Sequence, residues 1–93
     1  MFLENLKIQK ELIGAVKRLV NNHSASIVKQ IMDADNEDFV ELRVTDEGYT
    51  YIMYLDREMN TLYDVKCIDK NGIEVFKLTM FTKFSSLFNH EHN

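Results

Sequence analysis

Apolar residues in the first third of the chain recur at helical spacing. Leu6, Leu12, Ile13, Val16, Leu19, Val20, Ile27 and Ile31 fall at steps of three, four and seven, while Lys7, Lys10, Glu11, Lys17 and Arg18 fall off that stripe. The pattern predicts helix over residues 3–32. A single helix of that length would run about 45 Å at a rise of roughly 1.5 Å per residue, which is long for so small a domain. The stretch NNHSAS at 21–26 offers the interruption, since Asn and Ser favour caps and turns over helix interiors. A bend or a break is expected there, with Asn22 or Ser24 capping a second helix.

Beyond residue 38 the period changes to two. FVELRVT places Val40, Leu42 and Val44 on one face and Glu41 and Arg43 on the other, the signature of a half-buried strand. The turn DEG, with Gly48 free to take a positive φ, leads into YTYIMYLD as its hairpin partner. The loop DREMN leads to TLYDVKCI, where Tyr63, Val65 and Cys67 alternate with Asp64 and Lys66, and the turn DKNG returns the chain as IEVFKLTM. Four strands joined by three short turns predict an antiparallel meander. In FTKFSSLF, Phe81, Phe84, Leu87 and Phe88 share a helical stripe, so a short helix is expected over 81–89, followed by a polar tail at 90–93.

The expected fold is therefore α+β: a bent helix or two consecutive helices over 1–32, packed on a four-stranded antiparallel meander over 38–80, with a short C-terminal helix. This order resembles the layout of cystatin-like folds, in which a long helix is wrapped by an antiparallel sheet. The Gln-Val-Gly hairpin signature of the cysteine-protease inhibitors in that group is absent, as is the strand that precedes their helix, so no functional residue is carried over.

Composition narrows the class. At 93 residues, 45% hydrophobic and 28% charged, the chain has enough apolar side chain for one core and reads as one folded domain. A single cysteine, Cys67, leaves no internal disulfide and fits a reducing compartment. MFLENLKIQKELIG mixes charged and apolar residues too closely for a signal peptide, and no apolar run approaches the roughly 20 residues that cross a bilayer. A cytoplasmic location is expected.

Few catalytic or cofactor constellations can be written. An EF-hand opening at Asp33 would need glycine where Asp38 stands and a closing glutamate where Val44 stands, so the calcium reading of DADNEDF fails. Cys67 lies within a strand and reads as a small buried hydrophobe. His23 sits in the helix interruption, and the tail residues His90, Glu91 and His92 lack the further ligands that structural zinc needs. Three glycines allow neither a phosphate-binding loop nor a dinucleotide fingerprint. No enzyme, cofactor or metal is predicted.

Charge and aromatics remain. Residues 1–32 carry five bases against two acids, whereas residues 33–47 carry seven acids, Asp33, Asp35, Glu37, Asp38, Glu41, Asp46 and Glu47, against Arg43 alone. With a formal net charge of −4, direct binding of nucleic acid by the first helices is disfavoured. Tyr49, Tyr51 and Tyr54 crowd one strand and Tyr63 the next, more aromatic surface than a sheet covered on one side needs. These carboxylates and tyrosines together predict a protein-binding surface for a partner with a basic face, which the chain would inhibit or modulate by occupying it. In type, though by no motif, such compact acidic domains resemble phage and mobile-element inhibitors of host nucleic-acid enzymes such as restriction or CRISPR nucleases. The rival readings are a homodimer joined through sheet edges or helix faces, and a DNA-binding regulator using the first helices.

Overall fold

The computed structural model describes residues 2–88, and the side chains of residues 10–88. Helices α1 (Phe2–Asn22) and α2 (Ser24–Asp33) precede strands β1 (Phe39–Asp46), β2 (Tyr49–Asp56), β3 (Thr61–Ile68) and β4 (Glu74–Lys83), and a 3₁₀ turn (Phe84–Leu87) is the last element among the described residues. The strands form one antiparallel sheet in the order β1-β2-β3-β4, the expected meander. The fold is α+β. Leu6, Lys7, Asn89, His90, Glu91 and His92 lie outside the described side chains.

The helix does break in NNHSAS, but neither Asn22 nor Ser24 caps it. His23 occupies the N-cap position with φ −122° and ψ 28°, and its side chain makes no capping bond. Backbone bonds run through the break, from His23 N–H to the Leu19 carbonyl at 3.2 Å and from Ile27 N–H to the His23 carbonyl at 3.0 Å. His23 thus ends α1 with its N–H and opens α2 with its carbonyl, and the two helices are joined through this one residue.

One sheet face carries the core. Val16, Leu19, Val20 and Ile27 from the helices meet Val40, Leu42, Val44, Met53, Leu55, Leu62 and Val65 from the sheet, with Met80, Phe84 and Leu87 closing the far side. β1 alternates as its sequence predicts, and its register pairs Leu42 with Met53 and Val40 with Leu55 on the helix side. The two-residue turn Glu47-Gly48 has both φ angles positive, 51° and 84°, the type I′ geometry that matches strand twist.

β3 departs from simple alternation. Leu62 and Val65 are both fully buried although three residues apart, because the register slips between Tyr54 and Leu55 on β2 and leaves Tyr63 as the extra residue. Tyr63 therefore lies on the opposite face from Val65 and Cys67, contrary to the expected alternation. β4 also outruns its predicted end at residue 80. Its last residues pair with the start of β3, Leu62 with Thr82 and Thr61 with Lys83, so Phe81 is a strand residue. The expected C-terminal helix shrinks to one 3₁₀ turn, which Asn60 fastens through its carbonyl to Phe84 N–H at 2.8 Å and its side-chain oxygen to Ser85 N–H at 3.1 Å. From the helix side, the Asn21 amide donates to the Leu87 carbonyl at 2.8 Å.

Candidate interaction surface

Strand β1, about 23 Å long over seven rises of roughly 3.3 Å, divides the acidic segment. Asp33, Asp35, Glu37 and Asp38 lie at its start, in and beside the α2–β1 loop, and Asp46 and Glu47 lie at its far end in the hairpin. Glu41 sits midway on the face turned from the helices. Three of the seven are paired: Asp33 with Lys29 at 2.8 Å, Glu41 with Arg43 at 2.7 Å, and Asp46 with His23 at 3.5 Å. Among the described residues, Asp35, Glu37, Asp38 and Glu47 carry no ion pair. The seven carboxylates thus make no single field, and the dense unpaired group is Asp35, Glu37 and Asp38.

Backbone contacts hold that group in place. The Arg57 guanidinium donates to the carbonyls of Asp35 and Glu37, and Arg57 N–H donates to the Asp38 carbonyl at 2.7 Å. A protein cation therefore already occupies the point where the loop's carbonyl oxygens converge. The carboxylates themselves stay exposed.

Sheet register also divides the tyrosines. Tyr51 pairs with Val44 and Cys67 and so faces the helices, with Tyr49 beyond it opposite Asp46. Tyr54 pairs with Glu41 and Asp64 on the other face, where the bulge also places Tyr63. Tyr51 and Cys67 stand opposite each other across β2 and β3. The phenol stands above its ordinary range mainly through burial, and so does the Cys67 thiol, whose rise the Tyr51 hydroxyl moderates and Asp69 reinforces. This protonated pair, Tyr51 half-buried and Cys67 buried, is suited to packing and poorly suited to nucleophilic attack.

Four aromatic residues cross the uncovered face at the end nearest the acidic loop: Phe39 on β1, Tyr54 on β2, Tyr63 on β3 and Phe81 on β4. Three strand spacings of about 4.8 Å make the row roughly 14 Å wide. Phe39 is 67% exposed and Phe81 68%, and Met59 in the adjoining loop is 67% exposed. Phe81 meets Tyr63 edge-on, with ring centroids 5.3 Å apart and planes at 75°. The Tyr63 hydroxyl donates to the buried Asp56 carboxylate at 2.9 Å, whose other oxygen accepts Met59 N–H at 3.0 Å. That bond to Asp56 is the main reason the Tyr63 phenol lies above its ordinary range. Asp56 thus fixes both Tyr63 and the loop that carries Met59. Charge is polarised along the row, with Asp35, Glu37 and Asp38 at the β1 corner and Lys83 at the β4 corner.

Phe39, Met59 and Phe81 are absent from the residues that the sequence singled out. Phe39 left a signal, because it shares its strand parity with Glu41 and Arg43 and so is an aromatic on the polar face. Phe81 left none, since its spacing to Phe84 and Phe88 imitates a helix.

Comparison with protein-family models, with curated proteins and with solved structures gives no match for this chain. Among the described residues, no helix is long and apolar enough to cross a membrane, and no group of three or more His, Cys, Asp and Glu side chains is gathered to hold a metal ion.

Proposed function

We propose that this chain is a protein-interaction module that acts by occupying a basic surface of a partner protein. The observation that carries the reading is the row Phe39, Tyr54, Tyr63 and Phe81 on a sheet face that no described element covers, flanked by the unpaired Asp35, Glu37 and Asp38. Exposed Phe39 and Phe81 with half-buried Tyr54 and Tyr63, beside carboxylates on a held backbone, are the chemistry that receives arginine, whose guanidinium pairs with carboxylate and stacks on aromatic rings. A groove that normally holds nucleic-acid phosphate offers such arginines and lysines, so a nucleic-acid enzyme is the partner class that fits, and occupation of its groove inhibits it.

Backbone strain supports this assignment. Phe81 adopts φ 48°, a left-handed conformation that costs a non-glycine residue about 1–2 kcal/mol. Its side chain is nevertheless largely exposed, so burial offsets little of that cost. Strained residues that do not serve the core collect at functional sites.

The test replaces Asp35, Glu37 and Asp38 together by Asn, Gln and Asn. Capture of the partner from lysate of the source organism should fall at low salt, and wild-type capture should fall as salt rises. Glu47→Asn, at the other end of β1, should leave capture unchanged. Equal retention by the triple variant and the wild type would remove the loop from the mechanism. Retention of duplex DNA by the isolated chain at low salt would instead favour the basic stretch Lys10–Arg18.

A further inference from the structure

The two edges of the sheet are treated differently. At β1 the Gln30 side chain takes both outward backbone groups of Arg43, accepting its N–H and donating to its carbonyl, each at 2.8 Å. One amide on α2 thereby stands in for a neighbouring strand at the middle of that edge. Among the described residues, no side chain bonds the backbone of Phe76–Thr79 on β4, the other edge.

The pairing fixes which groups β4 leaves open. Because Arg43 turns away from β2, its partner Ile52 turns towards β3 and bonds Lys66. Along β3 the alternate residues Val65 and Cys67 then face β4, so their partners Leu78 and Phe76 bond inward. The N–H and C=O groups of Lys77 and Thr79 point out of the sheet. Around them the strand is apolar for an edge, with Val75 and Phe76 exposed and Phe81 beyond.

We infer that this edge pairs antiparallel with the same edge of a second copy, centred on Leu78. In that register Lys77 stands opposite Thr79 of the second copy and Thr79 opposite its Lys77, which closes four backbone bonds. Leu78 meets its own counterpart, and Phe76 meets Met80 of the second copy on the helix-covered face. The irregularities at Val75 and Phe81 confine pairing to residues 76–80. No like charges stand directly opposite, and the apolar positions match themselves, which is what a two-fold interface between identical chains requires. A contact of five residues a side is small, among the weak interfaces below about 1,200 Å². Lys66 and Lys77, adjacent on the uncovered face, are brought near their counterparts across the two-fold. The dimer should therefore tighten as salt rises, the reverse of partner capture.

Sedimentation velocity of the whole chain over a concentration series at low and high salt, with amide exchange measured on the same samples, tests this. The expected result is a reversible dimer favoured by salt, with the amides of Lys77 and Thr79 gaining protection as concentration rises and those of Phe76 and Leu78 unchanged. Lys77→Pro removes an outward N–H without removing an inward bond. It should weaken the dimer roughly 10- to 30-fold through two lost bonds. Phe76→Lys, which leaves the backbone intact, should weaken it in the same direction if the proline variant does not fold. A chain that stays monomeric throughout, or a dimer whose Lys77 and Thr79 amides stay open, would overturn the inference and leave the edge to an extended segment of another protein.

Discussion

Phe81 offers a test in which two nearly identical substitutions should part company. In a regular strand Gly is worse than Ala by about 0.5–1 kcal/mol, through the backbone entropy it loses on folding. At φ 48° the order should reverse, because any Cβ in the left-handed region costs about 1–2 kcal/mol and glycine has none. Both substitutions forfeit the edge-on contact with Tyr63, worth about 0.5–1.5 kcal/mol. Phe81→Ala keeps the strain and loses the ring, and should destabilise the fold by about 1 kcal/mol. Phe81→Gly loses the ring and the strain together, and should fall within about 0.5 kcal/mol of the parent. In a domain of this size about 1 kcal/mol corresponds to roughly 4–8 °C in Tm, so melting curves and urea midpoints resolve the pair. Partner capture should be lost with both, since the ring is gone from both. An alanine variant as stable as the glycine variant, or more so, would refute the claim that backbone strain is held at this position.

Other positions answer to separate assays. Gln30→Glu keeps the shape but presents a carboxylate to the Arg43 carbonyl. It should cost about 1–2 kcal/mol at neutral pH by urea titration, and the deficit should shrink as the pH falls and the protonated acid again donates as well as accepts. Glu47→Asn places a residue that tolerates φ 51° in the type I′ turn and should raise stability by about 0.5–1 kcal/mol, read from the same titration. Cys67, buried and with its thiol pushed up, should resist thiol reagents in the native state and react at a rate that follows unfolding; rapid labelling in native buffer would contradict the packing. Tyr63, raised mainly by its bond to Asp56, contributes stability that is full below the ordinary phenol range and is lost as the pH rises through the raised value. Tyr63→Phe should therefore lower stability at neutral pH and show a flatter alkaline decline, measured as urea midpoints across that range.

The elements that the sequence made legible are those whose periodicity a single face decides. Val40, Leu42 and Val44 alternate because only one side of β1 meets the helices, and the helical stripe through Val16, Leu19, Val20 and Ile27 holds for the same reason. Legibility failed where a register slip changes the parity. One extra residue moves Tyr63 to the far face, and nothing local in TLYDVKCI marks it, because the slip is a relation between two strands. Phe81 failed for a related reason. The start of β3 needs a partner, and Leu62 and Thr61 find it in Thr82 and Lys83, so pairing overrides a spacing that reads as helix. Side-chain clasps such as Gln30 on Arg43 and Asn60 on Ser85 join residues far apart in the chain and have no sequence period at all. At the candidate site the chemistry was legible as residue types, acid and aromatic, while their division between two ends and two faces required the register.

That division gives partner binding a distinctive footprint. The measurement is the amide-exchange footprint of the captured partner on the whole chain. Protection is expected over residues 35–39, around Tyr54, over Met59 to Tyr63 and at Phe81, with no change in the Glu47-Gly48 hairpin or along α1. Protection confined to the hairpin and helices, with the aromatic row still open, would contradict it.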